Sequence, residues 1–381
     1  MNMWKLAGSA AALALIAANP VLADVTPEEV WQSWQDVMTS SGSTVTTGSV
    51  ARDGDTLVVT DLKAGFDGTE GKGETAIAEV RLRDMGDGTV EVTMAEEASF
   101  TSASPGVDGG KPFGATGTMK MPGLVGTVSG SADDMAYAFD MPSVDLAVTP
   151  TEDGKPAGKI GVQLSGANSS YHLSGPATAK LLDGSFGATS AAVSLEGTDG
   201  ETSFSGMLNA ADLTGTIKSN STGMEEAEFS NALAKGFALD MGWSLGALNY
   251  DFDFTDAKGP SKLVGGSQGG AFQLGVDASR LLLTGNGKAV EATFSSAELP
   301  FPEVKLSYAE SGFNLTMPLS KGEDAQDFAL LYKIVDLQVS DEIWGLFDPT
   351  GVLPHDPATL VIDAGGQAKL KSDLLASPEG I

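Results

Sequence analysis

Asp-Gly and Asn-Gly dipeptides recur along this chain between short runs in which apolar and polar residues alternate. These dipeptides favour tight β-hairpin turns because both positions readily adopt positive φ. Turns are predicted at residues 53–54, 85–88, 153–154, 183–184, 199–200 and 286–287. The runs on either side, such as residues 78–83 and 89–94, have the period of a strand. The pattern therefore predicts a long antiparallel β meander.

The predicted strands are poor in bulky residues. The chain contains 48 glycines, and residues 127–130, 161–166 and 264–273 are rich in small side chains. Apolar burial contributes only about 25 cal/mol per Å², so such strands are poorly suited to the dense core of an ordinary sandwich. Glycine instead permits bends and close backbone approach. We expect a mainly β fold, built either as a long curved antiparallel sheet or as two β lobes.

A short N-terminal helix is predicted over residues 26–39. Thr26 and Glu29 have the spacing of a capping box, and Pro27 occupies the first helical position. Trp31 is expected beside the apolar side of this helix rather than on it. The residues on the apolar side itself are Val30, Trp34, Val37 and Met38.

Three further segments have helical spacing. Residues 224–236 predict a helix that ends at Gly236. Two C-terminal helices are then predicted, one from Asp327 and one over residues 341–347, capped by Ser340 and stopped by Asp348-Pro349. We expect both C-terminal helices to pack on a sheet edge. The helix from Asp327 would present Phe328, Leu331, Tyr332, Val335 and Val339 on one side.

Residues 1–23 have the pattern of a secretory signal peptide. Lys5 precedes the apolar run 6–18, and the run is followed by Val21-Leu22-Ala23, a small-residue cleavage pattern. The apolar run is shorter than the roughly 20 residues that a membrane-spanning helix needs. Cleavage after Ala23 and a periplasmic location are predicted.

The rest of the chain is interpreted as two parts, which form one domain or two. Residues 24–222 contain the N-terminal helix and a first β lobe. Residues 223–381 contain a helix, a second β lobe and the C-terminal helices. A boundary near Thr222 is expected, because a helical segment interrupts the β pattern there.

Composition excludes several classes of function. The chain has no cysteine, which rules out disulfides, iron–sulfur clusters and cysteine nucleophiles. Aspartate and glutamate number 51 against 22 lysines and arginines, for a net charge of −29. Nucleic acids and anionic membrane surfaces are polyanions that require clustered cations, so neither is expected as a partner.

Three segments carry a resemblance to a known family. DEIWG at residues 341–345 and PHDPATL at residues 354–360 resemble the C-terminal signature of domain-of-unknown-function family 2125, exported proteins of Gram-negative bacteria. DVTPEEVW at residues 24–31 is similar to that family as well. The resemblance implies a periplasmic protein, and it brings no activity, cofactor or catalytic residue with it.

Two motifs suggest chemistry that their surroundings do not support. The acidic run 251–256 would need glycine at Asp256 and a carboxylate at Lys262 to form an EF-hand calcium loop. A solvated strand face explains the alternation of this run. Residues 265–269 match G-x-S-x-G around Ser267, but a nucleophile elbow requires a following helix, and residues 271–276 alternate as a strand.

His172 and His355 are the only histidines. His355 with Asp356 has no third ligand at zinc spacing, and a turn between prolines explains the pair. Paired carboxylates for glycoside chemistry stay open because their separation in space is not visible in sequence. We predict no catalytic, cofactor-binding or metal-binding residues. A functional surface would first be sought at Trp344, Phe347 and His355, although core packing is the favoured role of Trp344 and Phe347.

These observations favour a non-enzymatic periplasmic protein rich in β structure. It would bind an apolar or lipid ligand in the concavity of its sheet, or act as an envelope structural factor. The alternatives are an outer-membrane β-barrel, whose strands alternate in the same way, and a periplasmic hydrolase with an unrecognised site. The oligomeric state is left open.

Overall fold

A computed structural model describes residues 24–40, 42–68, 71–105, 111–176, 179–224, 226, 229–321 and 324–371. The predicted cleavage site and residues 1–23 lie outside this set. Within it the fold is mainly β, with 21 strands in one large antiparallel sheet. The described chain also has three short helices, one N-terminal and two in the C-terminal half. The predicted fold class is therefore confirmed.

The chain divides into two compact units, unit 1 (Met1–Gly197) and unit 2 (Thr198–Ile381). The predicted domain boundary near Thr222 stays a prediction. Unit 1 begins with helix α1 (Pro27–Ser40). Its strands are β1 (Thr44–Thr46), β2 (Ser49–Asp53), β3 (Thr56–Gly68), β4 (Gly71–Asp84), β5 (Val90–Met94), β6 (Glu97–Ser104), β7 (Phe113–Lys120), β8 (Val125–Ser131), β9 (Asp134–Glu152), β10 (Lys155–Pro156), β11 (Gly158–Ser174) and β12 (Leu181–Asp199).

Unit 2 contains the two other helices, α2 (Phe229–Lys235) and α3 (Asp341–Phe347). Its long strands pair antiparallel with their neighbours throughout the described residues. The strands are β13 (Thr202–Asn220), β14 (Ala238–Leu245), β15 (Leu248–Asp256), β16 (Gly259–Ser267), β17 (Gly269–Val276), β18 (Arg280–Ser296), β19 (Val304–Pro318), β20 (Gln326–Val339) and β21 (Ala358–Ala368).

The turn predictions are partly confirmed. Consecutive strands are separated at 53–54, 85–88, 153–154 and 199–200. The turns predicted at 183–184 and 286–287 are wrong, because these residues lie inside β12 and β18. Asp183 pairs with His172, and Asn286 pairs with strands on both sides. Neighbouring strands thus satisfy the backbone there, and neither glycine takes the positive φ of a tight turn.

The helix predicted from Asp327 is also wrong, since this segment is strand β20. Tyr332 pairs with Phe313 on one side and with Ile362 on the other. The apolar run is dense enough to satisfy both helical and strand periods, and the two flanking strands supply a backbone ladder that decides between them. The helix predicted at 341–347 is confirmed as α3, but the predicted side-chain cap is wrong, because Ser340 makes no side-chain hydrogen bond to the helix. The helix predicted at 224–236 is confirmed over the shorter span of α2.

Helix α1 begins with the predicted capping box. The Thr26 backbone N–H donates to Glu29 Oε2 at 2.8 Å, and the Glu29 N–H donates to Thr26 Oγ1 at 3.3 Å. Trp31, expected to flank the apolar side, is only 6% exposed and helps to dock the helix on the sheet. The helix packs on a core that the strands of unit 1 supply: Leu57, Val59, Leu62, Val80, Leu82, Val90, Val92, Val128, Met135, Tyr137 and Phe139.

A charged clasp and a polar contact hold α1 on the sheet. Arg52 of β2 donates from Nε and Nη2 to the two Glu28 oxygens, each at 2.7 Å. This bond holds the pKa of Glu28 below its usual value. Under the helix, the Tyr137 hydroxyl donates to Ser33 Oγ at 3.5 Å, and burial raises the pKa of Tyr137.

Positive φ angles occur inside several long strands, at Asp61, Gly166, Asp212, Ala289 and Asp336. The strand register is the same on both sides of these residues, except between β20 and β21, where it shifts by one residue at Asp336. Strands β19 and β20, for example, advance equally between the pair Phe313–Tyr332 and the pair Leu306–Val339.

Apart from the shift between β20 and β21, the paired strands have equal numbers of residues on either side of these positions, so no residue is inserted in one strand relative to the other. A left-handed residue nevertheless reverses the odd–even alternation of faces, because its backbone leaves the extended conformation. Val59 and Leu62, an odd distance apart on either side of Asp61, are accordingly both buried in the core. The apolar side chains of β3 thus lie on the buried face on both sides of Asp61.

Candidate ligand-binding face

Three adjacent rows of apolar side chains cross one face of unit 2. Paired residues on antiparallel strands share a face, and so do residues two positions apart on one strand. We call these rows together the apolar face. The first row is Trp243, Phe272, Phe313, Tyr332 and Ile362; the second is Ile217, Met241, Leu274, Leu283, Leu315 and Leu330; the third is Leu239, Val276, Leu281 and Met317.

Aromatic rings in the first row lie against one another and against the backbone. Trp243 and Phe272 have ring centroids 5.7 Å apart, and Phe272 and Phe313 are 6.2 Å apart. Gly285 occupies the strand between Phe272 and Phe313. A Cβ atom added to Gly285 would lie 2.3 Å from Phe313 Cε1, so the glycine leaves room for the ring to lie on the strand. The absence of a side chain at Gly285 thus lets the Phe313 ring lie against the neighbouring strand.

Helix α2 covers only one end of the apolar face. Leu233 and Phe237 pack there against Val276 and Leu319 in a buried cluster. Beyond this cluster the side chains stay accessible: Trp243 is 39% exposed, Phe313 37%, Tyr332 40% and Leu330 38%. A sheet face covered by a helix would bury such residues almost completely, as α1 does in unit 1.

Apolar residues continue beyond the positive-φ residues of unit 2. Phe252, Leu263, Phe294 and Val304 pair in turn across four strands. Phe204 lies 5.9 Å from Phe252 and 5.0 Å from Phe254, measured between ring centroids. This second segment extends the apolar face along the strands.

The opposite face of the same strands carries charged residues. Asp251 forms an ion pair with Lys262, which also contacts Asp253 at 3.2 Å. Lys333 contacts Glu310 at 2.6 Å. The pairing partners of these residues put their charges on the side away from the aromatic row. No residue of the three apolar rows carries a charge, so these ion pairs lie on the opposite face, which they share with apolar residues such as Val264 and Val361.

The acidic run 251–256 is strand face, as predicted. Asp251 and Asp253 bind a lysine, and Asp256 accepts from the Lys258 N–H at 2.9 Å in a turn. No group of three or more potential metal ligands occurs among the residues that the structure describes.

Ser267 ends β16, and β17 follows as a strand, which confirms the local structure predicted around the G-x-S-x-G match. The histidines bind aspartates instead. His172 Nε2 lies 2.5 Å from Asp134 Oδ1, and His355 Nδ1 lies 3.2 Å from Asp341 Oδ1. Neither pair includes Ser267.

Trp344, Phe347 and His355 do not form one cluster. The Trp344 ring stacks on His355 with centroids 4.7 Å apart. Phe347 is 77% exposed, so the core packing favoured for it is wrong. The site that sequence reasoning missed is the apolar face. The face could have been recognised from the alternation of apolar and polar residues in β18 to β20. The segment from Asp327 was instead predicted as a helix, which hid the alternation in β20.

The fold and the apolar face define an all-β protein with one uncovered amphipathic sheet face. None of the helices in the described part of the chain is long and apolar enough to cross a membrane. Comparison with protein-family models, with curated proteins and with solved structures found no match. Membership of family 2125 therefore stays a prediction.

Proposed function

We propose that this chain is an exported periplasmic protein without enzymatic activity, which binds an acyl-chain ligand on the apolar face of unit 2. The observation that carries the proposal is the row from Trp243 to Ile362, which is uncharged and is exposed by 37–40% at Trp243, Phe313 and Tyr332. Water contact with this much apolar surface is unfavourable, and an apolar ligand would relieve it.

The dimensions of the row suit an acyl chain. The row crosses from β14 through β17, β18, β19 and β20 to β21. At about 4.8 Å between strands this distance is roughly 24 Å. One leaflet of a bilayer, half of a hydrocarbon core of about 30 Å, spans roughly 15 Å. An extended acyl chain therefore fits along the row without leaving it.

The expected affinity is modest because one side of the ligand stays in water. Burying about half of a chain of some 15 methylene groups, at about 0.8 kcal/mol each, contributes roughly 6 kcal/mol. This corresponds to a Kd of roughly 10–100 μM before losses of motion. The signal-peptide pattern of residues 1–23 supports export, and the ion pairs on the opposite face support solubility.

The test uses the full mature chain and the headless apolar fluorophore N-phenyl-1-naphthylamine. We expect saturable fluorescence enhancement, and displacement of the fluorophore by a long-chain fatty acid or a monoacylglycerol. Phe313→Ser should weaken binding at least about fivefold, because it removes a ring from the middle of the row. Native mass spectrometry with lipid analysis of protein from its own periplasm provides the second measurement.

The matched control is Met207→Ser. Met207 is 56% exposed and pairs with Asp251 on the opposite face, so this variant should bind the fluorophore as the unmodified chain does. Absence of saturable binding, or equal losses in both variants, would contradict the proposal.

A further inference from the structure

The three most exposed large apolar side chains of the described residues lie together after β20, with Leu353 beside them, outside the apolar face. Phe347 and Val352 are each 77% exposed, Leu346 is 62% exposed and Leu353 is 53% exposed. We call these four residues the apolar tip. They lie within eight positions of one another, in α3 and the loop that follows it. Scattered single apolar residues need no explanation, but four in one segment do.

Hydrogen bonds hold the segment that carries the apolar tip. Asp348 accepts from the Leu353 N–H at 2.5 Å and from Thr350 Oγ1 at 3.1 Å. The first of these bonds helps to hold the pKa of Asp348 below its usual value. The Asp348 N–H donates to the Trp344 carbonyl at 2.8 Å, and Trp344 stacks on His355.

The base of the segment is tied to β19. The Ser340 N–H donates to the Lys305 carbonyl at 2.9 Å, and Ser340 Oγ accepts from the Lys305 N–H at 3.2 Å. These bonds fix the loop while its apolar side chains face water. A rigid loop that exposes Phe347 loses little conformational entropy when it binds, which favours its use as an anchor.

Negative charge surrounds the apolar tip. Asp341, Glu342 and Asp356 are exposed around it. No lysine or arginine occurs between Lys333 and Lys369. Lys305, at the base of α3, is paired with Glu303 at 2.7 Å. The segment is therefore an apolar projection inside an acidic border.

We propose that the apolar tip docks into a partner protein that has an apolar cleft bordered by lysine or arginine. Charge complementarity selects this occupant. An anionic membrane surface would repel the border, and a second copy of a chain with net charge −29 would add like charge. The proposal goes beyond ligand binding by the apolar face and does not depend on it.

The test introduces the photoreactive amino acid p-benzoylphenylalanine at position 347 of the full chain, exported in its own cells. Crosslinked species are identified by mass spectrometry, and the captured partner is purified. We expect the crosslinked partner peptide to contain apolar residues flanked by lysine or arginine. Binding of the purified partner, measured by calorimetry, should weaken at least about tenfold for Phe347→Ser, as for an interface hot spot. It should also weaken as salt is raised.

Phe113→Ser is the matched control, since Phe113 is 57% exposed in unit 1 and should leave the affinity unchanged. Phe347 is too exposed for its loss to unfold the chain, which circular dichroism can verify. Crosslinks to lipid alone, to a second copy of the chain or to nothing would each overturn the proposal. So would a partner whose affinity does not depend on Phe347.

Discussion

Units 1 and 2 are built from the same kind of antiparallel strand, with positive-φ residues inside it, yet they treat their apolar side chains in opposite ways. Unit 1 buries most of the apolar core of the described chain, beneath α1 and between its strands. Unit 2 contains most of the exposed large apolar residues. Among the described residues of unit 2, the buried apolar ones are Ala210, Ala232, Leu233, Phe237, Val276 and Leu319.

The difference comes from the helices rather than from the sheet. Helix α1 has 14 residues and places Val30 and Trp31 on the strands below, whereas α2 has seven residues and covers a single end of the apolar face. A strand face gains burial only when another layer covers it. The comparison indicates that unit 1 provides stability while unit 2 keeps an apolar surface accessible.

The largest expected effect comes from replacing one leucine by alanine in each unit. Leu82 is fully buried in unit 1, and Leu82→Ala should cost about 2–5 kcal/mol of unfolding free energy because it leaves a cavity. Leu330→Ala in unit 2, at 38% exposure, should cost less than about 1 kcal/mol. Urea unfolding followed by hydrogen exchange in each unit measures both. Equal losses would show that the apolar face is covered.

A smaller effect is expected at the positive-φ residues. Ala289 has φ of 46°, and Ala289→Val places a β-branched side chain in the left-handed region, at a cost of roughly 1–2 kcal/mol. Thr293→Val, in the same strand but with extended backbone, is the control and should change stability by less than about 0.5 kcal/mol. Thermal unfolding compares the two variants. A neutral Ala289→Val would contradict the strand geometry described for unit 2.

Substitutions at the helix N-caps should change the unfolding free energy by a similar amount, and by more in unit 1 than in unit 2. Thr26→Ala removes a side-chain cap from α1 and should cost about 1 kcal/mol. Thr26→Ser keeps the hydroxyl and should recover most of that loss. In unit 2, Ser340 makes no side-chain cap bond, and its hydroxyl accepts only from the exposed Lys305 N–H, which water can satisfy, so Ser340→Ala should cost less. Denaturant midpoints rank the three variants. A Ser340 effect larger than that of Thr26 would reverse the expected order.

The smallest effect concerns pH. The hydrogen bond from Arg52 lowers the pKa of Glu28 below its usual value, so the clasp stabilises α1 above that usual pKa and loses its contribution as the pH falls through the lowered pKa. Both side chains are exposed, so the contribution should stay below about 1 kcal/mol. The unfolding free energy of Glu28→Gln, measured from pH 7 to pH 3, should not show this loss of stability at low pH. An identical pH profile for both proteins would exclude the clasp as its source.

Local signals predicted much of the fold correctly. The capping box at Thr26, the hairpin at residues 85–88 and the helix that follows Ser340 depend on neighbours in sequence, and each occurs as predicted. The errors fall where distant strands decide. Asn286-Gly287 is a turn dipeptide in isolation, but β17 and β19 on either side hold it in an extended strand.

The candidate site was less predictable than the fold. Tyr250, Phe252 and Phe254 alternate with polar residues in the sequence, and the pairing of β15 places all three on one side of the strand. The row from Trp243 to Ile362 was not predictable, because its members are brought together by register across strands that are distant in sequence. Its exposure depends further on how little of it α2 covers.

By itself the sequence determined the β class, the capped N-terminal helix, the absence of thiol chemistry and the acidic balance, since composition and short-range patterns control all four. Only the tertiary structure decided which dipeptides turn, whether the segment from Asp327 is a helix or a strand, and that Phe347 faces water. Each of these depends on backbone hydrogen bonds and burial that distant residues supply, and no local pattern encodes them.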